Sequence, residues 1–131
     1  MGGSFSDYLE DKLIDHVQKI AAFTQPTNLY LALYTVAPDD SGGGTEVSGN
    51  GYVRKLAEDW LTSSGGATYN TADIAFAAAS GGNWGTIVAF AQFDAISGGN
   101  MLLWGDLDVA RVINDGDVLE FLIGELDISL D

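Results

Sequence analysis

The sequence predicts a mainly β protein, an antiparallel β-sandwich of immunoglobulin-like or jelly-roll type with one N-terminal α-helix. Three observations predict it. A long helix-period apolar stripe occurs once, within residues 5–23; from residue 28 onward short apolar runs alternate with turn signals; and the chain closes on strict alternation, Leu126, Ile128 and Leu130 against Asp127, Ser129 and Asp131. Strands of this length with turns every eight to twelve residues or so are the mark of sandwiches.

The elements follow in order. Leu9, Leu13, Val17 and Ile20 line one face of a helix over residues 5–23. Ser6 or Asp7 can cap it, and Asp7 and Glu10 sit favourably at the positive end of its dipole. The stripe is expected to dock on the protein's own sheet, with a neighbouring subunit as the other possibility. Pro26 turns the chain out of the helix. Leu29 to Val36 then carries apolar residues on both parities, as a strand covered on both faces does. Tyr52 to Leu61 fits a helix or a strand equally, because Val53, Leu56, Trp60 and Leu61 suit one period and Tyr52, Leu56 and Trp60 the other. Short strands are expected at Ile74–Ala79, Ile87–Phe93, Met101–Trp104, Val118–Ile123 and Leu126–Leu130, with a hairpin signal at Ser97–Asn100 and a turn at Asn114–Asp117. Ser-Gly-Gly recurs at Ser41, Ser64, Ser80 and Ser97, each time between apolar runs, and reads as a turn.

The 131 residues suit a single domain, 1–131, comprising the helix 5–23 and a sandwich 28–131 that carries a glycine-rich loop at 39–51. There is no cysteine, which excludes disulfides and thiolate-ligated zinc. No apolar run is long enough to span a membrane, and the first residues lack the pattern of a signal peptide, so a soluble protein made in the cytoplasm is expected. The net charge of −14 rests on 19 acids against five bases, Lys12, Lys19, Arg54, Lys55 and Arg111. Such a surface repels phosphates and argues against nucleic acid as a partner. A basic protein surface suits it better.

A search for chemistry finds little. His16 is the sole histidine and lies mid-helix beside the apolar stripe, where a histidine is usually structural or solvent-facing, so neither a catalytic triad nor a metal site is expected of it. Asp115 with Asp117, or Asp106 with Asp108, could in principle form an acid/base pair, but acids two apart on a strand or turn define no cleft. The loop 39–51 lacks the Lys-Ser/Thr ending of a phosphate cradle, and its acids would repel a phosphate. Asp39, Asp40 and Glu46 offer oxygens to a cation without the spacing of a calcium loop. No cofactor, metal or catalytic residue is expected. What remains is a contact role, with Gly42, Gly43, Gly44, Thr45, Glu46, Val47, Tyr52 and Arg54 of the loop and Tyr8 and Leu9 of the helix as candidate interface residues.

Ser4 to Glu10 with Leu13, Leu29 to Thr35, Pro38-Asp39, the run Gly42 to Gly49, Gly51-Tyr52 and Arg54 resemble a family of small tailed-bacteriophage virion proteins. Trp84-Gly85-Thr86, Phe93-Asp94-Ala95, Gly98 to Leu102 and Trp104-Gly105 continue the resemblance. Members are labelled tail-fibre-like or head-decoration proteins. The resemblance implies a β-rich virion component, without enzymatic activity, and it favours a strand at Tyr52–Leu56. It leads to the expectation of a decoration, or cement, protein on the capsid exterior that binds the major capsid protein and copies of itself as a homo-oligomer. The alternative it implies is a tail-fibre or tail-tip module that binds a host receptor, with Trp84 or Tyr69 as exposed reading residues.

Overall fold

The computed structural model describes residues 3–130, and it is mainly β with one helix. The elements in order are β1 (Gly3–Phe5), α1 (Asp7–Val17), β2 (Tyr30–Val36), β3 (Thr45–Glu46), β4 (Lys55–Leu56), β5 (Ala67–Tyr69), β6 (Ile74–Ala75), β7 (Gly85–Phe93), β8 (Met101–Ile113), β9 (Glu120–Phe121) and β10 (Asp127–Ser129). A six-stranded antiparallel sheet runs β1-β8-β7-β2-β3, with β4 also on β2. Two ribbons, β5 with β10 and β6 with β9, complete the strand pairing.

The main core joins this sheet to the ribbons. Leu31 and Leu33 of β2, Ile87 and Phe90 of β7 and Leu103 of β8 meet Ile74, Phe121 and Leu126. Each large apolar side chain so buried contributes about 1.5–3 kcal/mol. Residues of opposite parity, Ala32, Tyr34, Ala89, Ala91 and Phe93, form a second cluster with Met101 and Trp104. β2 is therefore buried on both faces, as its two-sided apolar pattern requires. Ile87 and Phe90, three apart, share the main core because the β7–β8 register shifts between Ile87 and Ala89. Across that shift β7 advances two residues while β8 advances five, Arg111 to Asp106, and such an irregularity interrupts the strict alternation of faces.

The helix is shorter than its periodicity implies. Ser6 caps it with extended dihedrals, and its hydroxyl accepts from the Leu9 N–H at 3.1 Å. Gln18 closes it, and Lys19 then takes a left-handed φ of 61°. Residues 18–23, expected to be helical, are not, and Phe5 belongs to β1. The stripe does not dock on the sheet as a whole: Leu9 is buried, Leu13 is half-buried, and Val17 and Ile20 stand exposed. Helical period at the tail of the stripe has no tertiary surface to pack on.

Elsewhere the strand bounds move. Tyr52 to Leu61 is no helix: Lys55 and Leu56 pair opposite Leu31 and Tyr30, and Trp60 bridges to Asn70. The expected strands at Ile74–Ala79 and Val118–Ile123 shrink to two residues each, whereas the one starting at Met101 continues past Trp104 to Ile113. In β10, Leu126 just before the strand is fully buried and Ile128 half-buried, while Asp127 and Ser129 face solvent. Asp131 lies outside the described residues.

Candidate interaction site

The glycine-rich loop is held down along its length. It leaves β2 at Val36, turns at Pro38 and comes back as β3, which pairs with Tyr34 and Val36. The return requires Gly44: its φ is 68°, and a Cβ there would lie 2.5 Å from the Val36 carbonyl oxygen and 2.7 Å from the Pro38 nitrogen. Only glycine has both the dihedral and the clearance. Beyond β3, Val47 N–H donates to Leu33 O (2.9 Å), the Tyr52 hydroxyl accepts from Leu33 N–H (3.0 Å), and Ala57 N–H donates to Leu29 O (2.9 Å). One edge of β2 is thus closed in turn by β3, a tyrosine hydroxyl and β4.

Arg54 is the centre of this arrangement. Its Nε and Nη2 donate to the two carboxylate oxygens of Glu46, each at 2.9 Å. Nη1 donates to the carbonyls of Ala95 (2.9 Å) and Gly98 (2.8 Å) in the loop between β7 and β8. The guanidinium lies 3.7 Å from the centroid of the Phe93 ring, and the Arg54 side chain is 8% exposed. A planar fork can do all of this at once, which an ammonium cannot. Glu46 also accepts from the Tyr52 hydroxyl at 2.7 Å. The Asp94 carboxylate holds the β7–β8 loop from within, accepting from the Asn100 N–H (2.7 Å) and its side-chain amide (2.9 Å).

Ionisation follows from these contacts. Burial pushes the Tyr52 phenol well above the usual tyrosine range; the Leu33 hydrogen bond opposes this and that to Glu46 reinforces it. Burial, with the Glu46 charge adding, raises Tyr34 to about 12. Burial works against the Arg54 charge, but the hydrogen bonds and charge of Glu46 outweigh it and hold the guanidinium above its ordinary value. The Ser41 hydroxyl and N–H lower Asp39.

The loop also joins the helix to the sheet. Asp40 O accepts from Asp7 N–H at the start of α1 (2.8 Å), and Asp40 Oδ1 accepts from the Trp104 indole N–H (2.9 Å). Ser6 N–H donates to Leu102 O and its hydroxyl to Met101 O. Among the candidate interface residues, the structure gathers Glu46, Tyr52 and Arg54 into one network, with Val47 buried beside them. Gly43, Gly44 and Thr45 are exposed and Gly42 half-exposed. Leu9 is buried and Tyr8 half-buried, on a helix start that reaches the loop through Asp40. Ser48, Gly49, Val53 and Ile96 frame a shallow depression of ≈ 470 Å³ over the Arg54 pair.

The three acids of the loop do not converge. Asp39 is bonded to Ser41, Asp40 to Trp104 and Glu46 to Arg54. Trp84, expected as an exposed reader, is buried; it makes an edge-on contact with Tyr52 (5.4 Å between centroids), and its indole donates to Asn50 O. Tyr69 is exposed.

A family model described as podophage GP4 fiber I protein gp80 matches residues 4–129. The chain belongs to that family. The match runs from within β1 to the end of β10 and takes in the whole glycine-rich loop, and the family as described is a phage structural one. No curated protein matches the chain.

Several residues that organise this fiber I family member escaped sequence reasoning. Asn70 is fully buried: its side-chain amide donates to Ala72 O and Leu122 O, and its Oδ1 accepts from Leu126 N–H. Asp40 had a signal only as one more loop acid. The exposed Val17 and Ile20 were visible as part of a stripe, but not as its undocked part, and the exposed Ile14 lies beside that stripe.

Proposed function

We propose that this chain is a non-enzymatic structural subunit of a fibre-type appendage on the virion exterior, acting by docking on other proteins. The observation that carries this reading is the fiber I family match over residues 4–129. The geometry supports it. Glu46, Tyr52 and Arg54 are turned inward to hold the loop together, and exposed apolar residues, among them Ile14, Val17 and Ile20 at and after the end of α1 and Val109 and Val112 on β8, are available for contact. Large apolar side chains grouped at a surface are a mark of protein contacts.

A second reading is the capsid decoration protein, bound across neighbouring major-capsid subunits and adding contact area at their joints. The acidic surface, −14 over the chain, favours a place outside the shell and away from packaged DNA. Binding to the assembled shell more tightly than to its parts would stabilise it by mass action. Virion reconstruction with quantitative mass spectrometry separates the two. The fibre reading expects density on an appendage and copies in the few to few dozen; density over the capsid faces with hundreds of copies would replace it with decoration.

A further inference from the structure

We propose that the groove between the β1 margin of the main sheet and the β5–β10 ribbon is a strand-docking site that takes an extended, basic segment of a partner protein. β1 and β10 each pair with one strand only, β8 and β5. The backbone bonds show which of their groups are left over. Ser6 N–H donates to Leu102 O, so Phe5 and Leu103 are a non-hydrogen-bonded pair, and the N–H and C=O groups of Gly3 and Phe5 point away from β8. Leu130 N–H donates to Gly66 O, so by the same rule those of Asp127 and Ser129 point away from β5. Among the described residues, the one bond to any of these groups comes from the Ser4 hydroxyl to the neighbouring Phe5 O (3.0 Å).

Both free edges line the same groove, of ≈ 470 Å³. Gly3, Gly105 and Ala67 leave its walls without side-chain bulk, and Phe5, Phe90, Leu103 and Ile128 give it an apolar floor. Unpaired N–H and C=O groups beside an apolar floor match another backbone, whose side chains alternate between the floor and the solvent. Each edge spans three residues, about 10 Å of strand, so the docked segment is short.

Charge narrows the occupant. Glu10 and Asp127 line the groove as exposed carboxylates with no side-chain bond to another described residue, and no base lines it. The flanking residues do not reverse the sign. Asp7 and Asp11 on α1 and Asp106 on β8 add three acids, and Lys12, over the Tyr8 ring, is the one base, so five acids stand against one cation. The other bases are placed elsewhere: Lys55 and Arg54 at the opposite edge of the sheet, Arg111 on Glu120 O and Glu125, and Lys19 beyond the end of α1. A second copy would bring a further −14 to an acidic site. A segment that alternates apolar residues with lysine or arginine satisfies the edges, the floor and the carboxylates together.

The inference deepens the docking role proposed above and rests on it for its purpose only. Binding is read on purified protein, so its failure leaves the place on the virion untouched, and a capsid location leaves the groove untouched. The probe is an alternating valine-lysine octapeptide, blocked at both ends and titrated into the isotope-labelled full chain with amide shifts followed by NMR. Saturable shifts are expected at Gly3–Phe5 and Asp127–Leu130, with slowed hydrogen exchange at Phe5 and Ser129. The same peptide N-methylated throughout, which keeps the charge and loses the donors, and a valine-glutamate octapeptide should each bind at least about 10-fold more weakly. On the protein, Ser129→Pro removes an outward N–H that β5 does not use, and Glu10→Gln with Asp127→Asn removes the carboxylates; each should weaken binding about 10-fold with the fold intact by circular dichroism. Shifts spread over the acidic surface without slowed exchange, or undiminished binding of the N-methylated or the acidic peptide, would overturn the proposal. Protection of Phe5 and Ser129 that grows with protein concentration in the absence of peptide would overturn the assigned occupant in favour of a second copy. The peptide comparisons need no variant, so a misfolded Ser129→Pro leaves the test in force.

Discussion

Replacing Arg54 with alanine should loosen the glycine-rich loop from the β7–β8 loop and lower the stability of the whole fold. The side chain is 8% exposed and makes four hydrogen bonds, two to Glu46 and one each to Ala95 O and Gly98 O. Removing one partner of a buried ion pair is destabilising by about 3–5 kcal/mol, because the other charge is left uncompensated. Glu46 is 24% exposed and keeps the Tyr52 hydroxyl, so it can rehydrate in part; the lower end, about 3 kcal/mol, applies. For a chain of this size, each kcal/mol moves Tm by about 3–4 °C, so a fall of about 10 °C is expected by calorimetry or thermal circular dichroism. Arg54→Lys should recover little, since an ammonium cannot reach both Glu46 oxygens and two carbonyls together. A double-mutant cycle with Glu46→Gln isolates the pair and should give a coupling of about 1–2 kcal/mol. A loss under 0.5 kcal/mol for Arg54→Ala, or a coupling near zero, would refute the view that this network secures the loop.

Three further outcomes are expected. Asn70→Ala strands Leu126 N–H and the carbonyls of Ala72 and Leu122 without partners, a loss on the order of 3 kcal/mol in chemical denaturation; Asn70→Asp should be worse at neutral pH and improve as pH falls and the introduced carboxylate takes up a proton. The fold should fail in alkali: Tyr34, raised to about 12, and Tyr52, raised further, favour the protonated phenol when folded, so the stability they supply is whole below pH 10 and is lost as pH climbs through 12. Tyrosinate absorbance should therefore rise late for these two, together with loss of structure, and their early titration in a folded protein would contradict the burial argument. Gly44→Ala should destabilise by about 2 kcal/mol or more, since a left-handed φ of 68° and contact with the Val36 carbonyl act together; the same change at Gly43, where a Cβ meets nothing within 4 Å, should be milder, and equal losses at the two positions would contradict the clearance argument.

The sequence by itself determined the features whose causes are local. Ser6 is a cap because its hydroxyl reaches the amide three residues on, and that is legible as Ser-x-x before an apolar stripe. The Ser-Gly-Gly turns are legible because left-handed dihedrals select glycine: Gly65, Gly66, Gly98 and Gly99 all adopt them. The two-sided apolar run of β2 and the alternation at the C-terminus set their faces through period two alone.

Only the tertiary structure decided what depends on residues distant along the chain. The helix stops at Val17 although its apolar period continues to Ile20, because the surface that would reward further turns is absent there. Tyr52 to Leu61, even-handed between two periods, is no helix because β2 has an open edge that Lys55 and Leu56 can occupy. Trp84, offered by its sequence as an exposed aromatic, is buried by Tyr52 and Phe76 from other parts of the chain. Arg54 could be seen as a base closing a loop, but its carbonyl partners lie 41 and 44 residues away, and Asn70 meets its farther ones across 52 and 56. No periodicity records such pairs. Backbone propensity acts over a few residues, whereas the bonds that orient this loop form only after the sheet has brought its strands together.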